Sequence, residues 1–118
     1  MLRGEIWHVD LDPARGNEAN KQRPAVVVSN DRANATATRL GRGVVTVVPV
    51  TSNIAKVYAF QVLLPAAATG LAVDSKAQVE QIRSVATERL LSRIGRVPGA
   101  FMREIDEALR LHLELWSP

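Results

Sequence analysis

Arg23 and Thr51 are the residues of this chain whose types and settings could do chemistry together. Arg23 sits in the run Lys21-Gln22-Arg23-Pro24-Ala25-Val26-Val27-Val28-Ser29, and Thr51-Ser52 closes the run Val44-Val45-Thr46-Val47-Val48-Pro49-Val50. Each polar group therefore stands at the end of an apolar strand. A guanidinium is permanently charged and presents five N–H donors, which suits it to negative charge growing on phosphoryl oxygens. A threonine hydroxyl can donate to such an oxygen or orient an attacking hydroxyl, and Ser52 beside it could assist. Glu18, in Gly16-Asn17-Glu18, offers a carboxylate that could accept a proton in a chain with only two histidines. Each residue also has a plainer alternative. Arg23 could pack on Trp7 or pair with Glu18, Thr51-Ser52 could satisfy the backbone of a turn, and Glu18 could be a solvated loop acid.

A second set of residues could bind rather than react. Lys21 and Lys56 place cations next to the Arg23 and Thr51 segments, and Ser75, Lys76 and Gln81 follow in a later strand. An amide such as Gln81 can read an exposed base edge, or it can be a satisfied sheet amide. His8 and His112 do not make a two-histidine nuclease, because His8 lies inside the first strand and nothing ties His112, on the terminal helix, to it. Trp7, Tyr58 and Phe60 could stack on splayed bases, but with five aromatics in the chain the core needs most of them.

Composition narrows the field. The chain has 118 residues, one domain's worth, with no apolar run long enough for a membrane span and with Arg3 and Glu5 ahead of any leader-like stretch, so a cytoplasmic, membrane-free protein is expected. It has no Cys, which excludes disulfides and thiolate metal sites, and its two distant His give no basis for a metal or other cofactor. The net charge is only +3, but from Pro13 to Lys56 seven bases (Arg15, Lys21, Arg23, Arg32, Arg39, Arg42, Lys56) face two acids (Glu18, Asp31). A local positive field of this kind favours a phosphate-bearing partner, and arginine suits bidentate phosphate contacts.

The elements that must hold these residues are short. Glu5 to Asp10 reads as a first strand, residues 13–22 as a loop, and Ala25 to Ser29 as a second strand with Arg23 at its mouth. Asp31 could cap a short helix through Thr38. Gly43 to Val50 is apolar almost throughout, the pattern of a strand buried on both faces or tightly curved, with Pro49 marking an edge or bulge. Phe60 to Leu64 is a further strand, and Ser75 to about Val85 another that would carry Glu80-Gln81. Thr87 could cap a short helix through Leu91, and Ile94 to Val97 could return as a strand. A helix from Pro98 to about Leu115 carries a stripe of Met102, Ile105, Leu109, Leu113 and Trp116, with Arg103–Glu107 and Asp106–Arg110 as i,i+4 pairs. The whole predicts a mainly β chain with a C-terminal helix, a small, curved, mostly antiparallel barrel.

The order of these segments resembles the MazF/PemK family of bacterial toxins. The resemblance runs from Arg3-Gly4-Glu5-Ile6-Trp7-His8-Val9-Asp10-Leu11-Asp12-Pro13 through the Arg23 and Thr51 segments to Asp74-Ser75-Lys76-Ala77 and Glu80-Gln81-Ile82-Arg83. It implies an SH3-like version of the barrel and a ribosome-independent endoribonuclease that cuts single-stranded RNA through the adjacent 2′-OH, without metal. It makes Arg23 the principal catalytic residue and Thr51 the second, and it sets Glu18 beside the substrate groove; Ser52, Lys21, Lys56, Gln81 and Ser75 are then the candidate RNA contacts. A guanidinium that keeps its proton at neutral pH suits Arg23 to charge stabilisation better than to proton transfer. The resemblance also implies a homodimer with RNA along the subunit interface, and neutralisation by a MazE-like antitoxin. The alternative is a non-enzymatic gyrase poison of the related CcdB type, acting through Trp116 near the C-terminus.

Overall fold

The computed structural model describes residues 1–115. Along them run β1 (Glu5–Asp10), β2 (Gln22–Val27), α1 (Asp31–Leu40), β3 (Val44–Thr51), β4 (Gln61–Leu64), α2 (Ala66–Thr69), β5 (Ser75–Gln78), β6 (Arg83–Ala86), β7 (Leu90–Arg96) and α3 (Gly99–Leu113). The pairings are antiparallel, in the order β4-β5-β3-β2-β1-β7, with β6 also on β3. The curved, mainly antiparallel sheet with its terminal helix is the expected class. The barrel is incomplete, because β4 and β7 lie at opposite ends of the strand order.

The apolar run of β3 is explained by two cores. Val48 and Val50 enter one buried cluster with Ile6, Val26, Leu64 and Ile105, while Val45 and Val47 enter a second with Val9, Leu11, Ala25 and Val27. Successive side chains of a strand point to opposite faces, so a strand covered on both sides needs apolar residues at both parities. Along one edge β3 pairs first with β6, through Val47↔Arg83, and then with β5, from Val50↔Ala77. Pro49, which has no N–H to give, stands in the gap where the partner changes.

Several local expectations are corrected. The predicted strand Ser75 to Val85 is two strands separated by a 3₁₀ turn at Val79–Gln81, so Gln81 leaves the sheet. Asn30, not Asp31, caps α1, its side chain accepting from the N–H of Ala33 at 2.8 Å. Thr87 opens a 3₁₀ turn that ends at Arg89, and β7 begins at once, longer than predicted. On α3, Ile105 and Ala108 are buried and Met102 and Leu109 pack beside the first core, but Leu113 is exposed. The helix pairs also differ. Arg110 bonds Glu107 one step closer, and Asp106 instead takes Arg3, 2.6 Å away from the other end of the chain. Trp116, the last residue of the predicted stripe, lies outside the described residues.

Candidate active site

The register of β2 on β3 assembles the centre of the site. Ala25 pairs with Pro49, so continuing the same antiparallel pairing two residues outward sets Arg23 opposite Thr51 on one face. On the other side of β3, Thr51 pairs with Lys76 of β5. A row of Arg23, Thr51 and Lys76 thus crosses the end of the sheet. Residues that extend an inner row past the end of the packed cluster must be solvated or meet a ligand. Here Arg23 and Thr51 border a cavity of about 320 Å³ that Ser52 and Ser75 also line, with Leu71 and Val73 among its apolar walls.

Arg23 is oriented without being neutralised. Its Nε donates to the backbone oxygen of Asn20 at 2.8 Å and one Nη2 N–H donates to Asn20 Oδ1 at 3.1 Å. Two of its five N–H donors are used and three remain. Among the described residues no carboxylate lies within ion-pair distance of it, and neither Trp7 nor Glu18 holds it. The Thr51 hydroxyl accepts from the N–H of Asn53 at 3.2 Å, which is the predicted turn interaction, yet its own O–H stays available to donate. Ser52 is exposed beside it, whereas Ser75 is buried and donates to the Val73 oxygen at 2.9 Å.

The remaining candidates sit around this centre rather than in it. Glu18 is exposed in the loop before β2, and its Oε1 accepts from the N–H of Arg15 at 3.2 Å. Lys21 is exposed with a left-handed backbone, φ 62°, which its neighbours fix: its N–H donates to Asp12 Oδ1 at 2.9 Å and its carbonyl accepts from Leu11 N at 2.9 Å. Gln81 reaches this same loop from the 3₁₀ turn and bonds the backbone of Asn17 and Ala19. Lys56 lies in the loop after β3, its ammonium 4.7 Å from the centre of the Tyr58 ring, and Tyr58 in turn stacks on Phe60 at 5.3 Å. These two aromatics form a surface pair rather than core.

Two further residues complete this arrangement, one of them read from the sequence in a different role. Lys76, only 8% exposed, donates its ammonium to the Lys56 carbonyl and so props the loop after β3. The sequence offered Lys76 as a possible RNA contact beside Ser75 and Gln81, and its burial turns its ammonium to this loop instead. Asn20 carried no signal beyond being a turn-forming residue three positions before Arg23. The result is a cavity of about 320 Å³ bordered by a guanidinium and by hydroxyls, donors suited to a phosphoryl oxyanion. Among the described residues no helix is long and apolar enough to cross a membrane.

Comparison with known proteins is consistent along the whole chain. Residues 2–113 match the family model described as PemK-like, MazF-like toxin of type II toxin-antitoxin system. The chain is 80% identical, over 99% of both sequences, to Endoribonuclease MazF9 of Mycobacterium tuberculosis. Among solved structures it superposes on MazF from Deinococcus radiodurans with a TM-score of 0.80 and 27% identity, covering 98% of this chain and 97% of that one. It also superposes on a MazE-MazF crystal structure from the same organism with a TM-score of 0.67 and 26% identity, covering 95% and 93%. None of these matches supports the gyrase-poison alternative.

Proposed function

The chain belongs to the PemK/MazF family of type II toxins, and from that premise we propose that it is an endoribonuclease toxin that cuts single-stranded RNA by transesterification. The 2′-oxygen of one nucleotide forms a bond to the adjacent phosphorus while the bond from phosphorus to the 5′-oxygen breaks. The proton of the 2′-OH passes to a base, and a proton reaches the departing 5′-oxygen. Glu18 is the candidate base. Arg23 stabilises the charge on the phosphoryl oxygens, with Thr51 donating a further hydrogen bond. Ser52 and Ser75 at the cavity, and Lys21 and Lys56 on the two flanking loops, meet the RNA.

One observation carries this reading above the rest. Arg23 and the distant Thr51-Ser52 pair line one cavity, and among the described residues the guanidinium there has three uncommitted donors and no acidic partner. Arg23 is oriented by neutral acceptors, so its charge is kept for an anionic ligand. The family description and the MazE-MazF structure support neutralisation by a cognate MazE-like antitoxin. The exposed Leu111 and Leu113 on α3 support a homodimer, since an isologous contact buries such surplus apolar surface. An RNA substrate supports a cytoplasmic location.

A long single-stranded RNA incubated with the protein in EDTA tests the reaction. The products should end in a 2′,3′-cyclic phosphate and a 5′-OH, and an RNA with hydrogen in place of the 2′-OH at the cut nucleotide should survive. Cleavage of that deoxy substrate would refute the mechanism. Growth arrest with intact RNA would refute the activity.

A further inference from the structure

Arg23 is held in place by neutral acceptors, and those acceptors are themselves held from a distant part of the chain. Asn20 takes Nε on its backbone oxygen and Nη2 on its side-chain oxygen. Asn20 is joined directly to Ala19, whose N–H donates to Gln81 Oε1 at 3.0 Å, while Gln81 Nε2 donates to the Asn17 oxygen at 2.9 Å. One side-chain amide thus bonds a C=O and an N–H on either side of Glu18, as a neighbouring strand would. Ala19 adds a second anchor, because it is buried in the second core cluster with Val9 and Leu11.

We propose that Gln81 and Asn20 are positioning residues for the reaction. Gln81 pins residues 17–19, this pins Asn20, and Asn20 sets the plane of the Arg23 guanidinium so that its remaining donors face the cavity. The proposal rests on the nuclease reading, in which Arg23 is the group that meets the phosphate. Its physical basis is preorganisation. A free arginine side chain samples many rotamers, and donors that stabilise a transition state act best when they need not be ordered at the moment of reaction. Asparagine can do this ordering where aspartate could not, since a carboxylate would cancel much of the charge meant for the substrate. The same geometry explains why Gln81 is a poor direct reader of RNA: both ends of its amide are already engaged on the loop.

The test compares the parent with Asn20→Ala, Asn20→Asp, Gln81→Ala and Gln81→Glu, with thermal melts to verify folding. Three readouts are taken: the NMR signal of the Arg23 Nε–H group, the single-turnover cleavage rate at saturating RNA, and the affinity for an uncleavable RNA with a 2′-deoxy nucleotide at the cut site. In Asn20→Ala and Gln81→Ala the Arg23 signal should move toward that of a free arginine and the rate should fall by about 10- to 100-fold, the scale of a misplaced catalytic group. Affinity for the deoxy analogue should stay within about twofold, as expected when an interaction matters only in the transition state. Gln81→Glu keeps the acceptor for Ala19 but cannot donate to Asn17, so it should fall between parent and Gln81→Ala. Asn20→Asp should keep the Arg23 signal ordered yet bind the analogue more weakly. Once Arg23 is replaced by alanine, adding Asn20→Ala should cost nothing more. An Arg23 signal unchanged in both alanine variants would overturn the proposal, and so would a loss confined to affinity, which would mean that Gln81 or Asn20 touches RNA directly. If the parent cut no RNA, the nuclease reading would fall, while the NMR signal would still decide whether these residues order Arg23.

Discussion

Replacing Arg23 by alanine removes a full charge and every N–H that this side chain can aim at the cavity. Of the five donors, the two on Asn20 are structural and three are uncommitted. Loss of a single preorganised donor at a developing oxyanion costs about 100- to 1000-fold, or roughly 2.7–4 kcal/mol. With several donors and the charge lost together, Arg23→Ala should reach or pass the upper figure. The fold should survive. The two bonds to Asn20 lie at the surface and contribute about 0.5–1.5 kcal/mol each at most, against about 5–15 kcal/mol for a typical domain. Arg23→Lys keeps the charge but replaces a planar fork with a point donor on a flexible stem, so it should recover only part of the activity. Single-turnover cleavage of a defined RNA, with circular dichroism melts of each variant, separates the chemical loss from any loss of folded protein. A folded Arg23→Ala protein that cuts within about threefold of the parent would refute the assignment of this arginine and the site built around it.

Thr51→Ala should lose less than the about 100- to 1000-fold of an uncompensated donor, because exposed Ser52 lines the same cavity; Thr51→Ala with Ser52→Ala should lose more than the single change in the same assay. Gly95→Ala should destabilise strongly, since an added Cβ would lie 2.0 Å from the Thr69 backbone oxygen, and overpacking of this kind costs about 1–3 kcal/mol or more; a melting temperature equal to the parent's would contradict the packing of β7 against α2. Glu5 is half-buried between strands, and although burial raises its pKa, hydrogen bonds from Leu2 N and Trp7 Nε1 and the charge of Arg93 outweigh that and hold it below the ordinary glutamate value. Its ionised form is therefore favoured by folding, so its contribution is complete above about pH 4.3, the unfolded value, and is lost as acid titrates the folded carboxyl below that. Denaturant melts should show a shallower acid limb for Glu5→Gln than for the parent, and identical slopes would remove Glu5 from the account.

Much of the fold was legible because local pattern and burial agree. Glu5–Asp10 was bounded correctly by its mixture of β-branched and polar residues and by Pro13 beyond it. The two-sided burial of β3 could be read from its unbroken apolar run, and Pro49 did mark an irregular point, the change of partner from β6 to β5. The failures have a common cause. A continuous polar-apolar mixture from Ser75 to Val85 gives no sign of where a strand must turn to follow a curved sheet, so the 3₁₀ turn at Val79–Gln81 was missed. On α3 the spacing offered Arg103–Glu107 and Asp106–Arg110, but Arg3 from the far end of the chain claimed Asp106. Helical spacing proposes partners, and tertiary approach chooses among them.

The same division holds at the site. The sequence by itself determined the chemical inventory: a guanidinium and a hydroxyl pair, each at the end of an apolar segment, and a loop carboxylate, in an order that pointed to the family. Residue type sets charge, donor count and acidity, and these need no fold. What only the tertiary structure decided is who faces whom. Register is a property of two strands together, and pairing Ala25 with Pro49 is what carries Arg23 to Thr51, just as pairing with β5 brings Lys76 to the other side. A one-residue slip would have sent Arg23 to the opposite face. Likewise Gln81 could be read from the sequence as an amide beside RNA, but the long-range return of the chain after β5 set it against Asn17 and Ala19, 64 and 62 residues away, where its hydrogen bonds serve the backbone. Such contacts are fixed by how the curved sheet closes on its loops, and no local stretch of sequence contains that information.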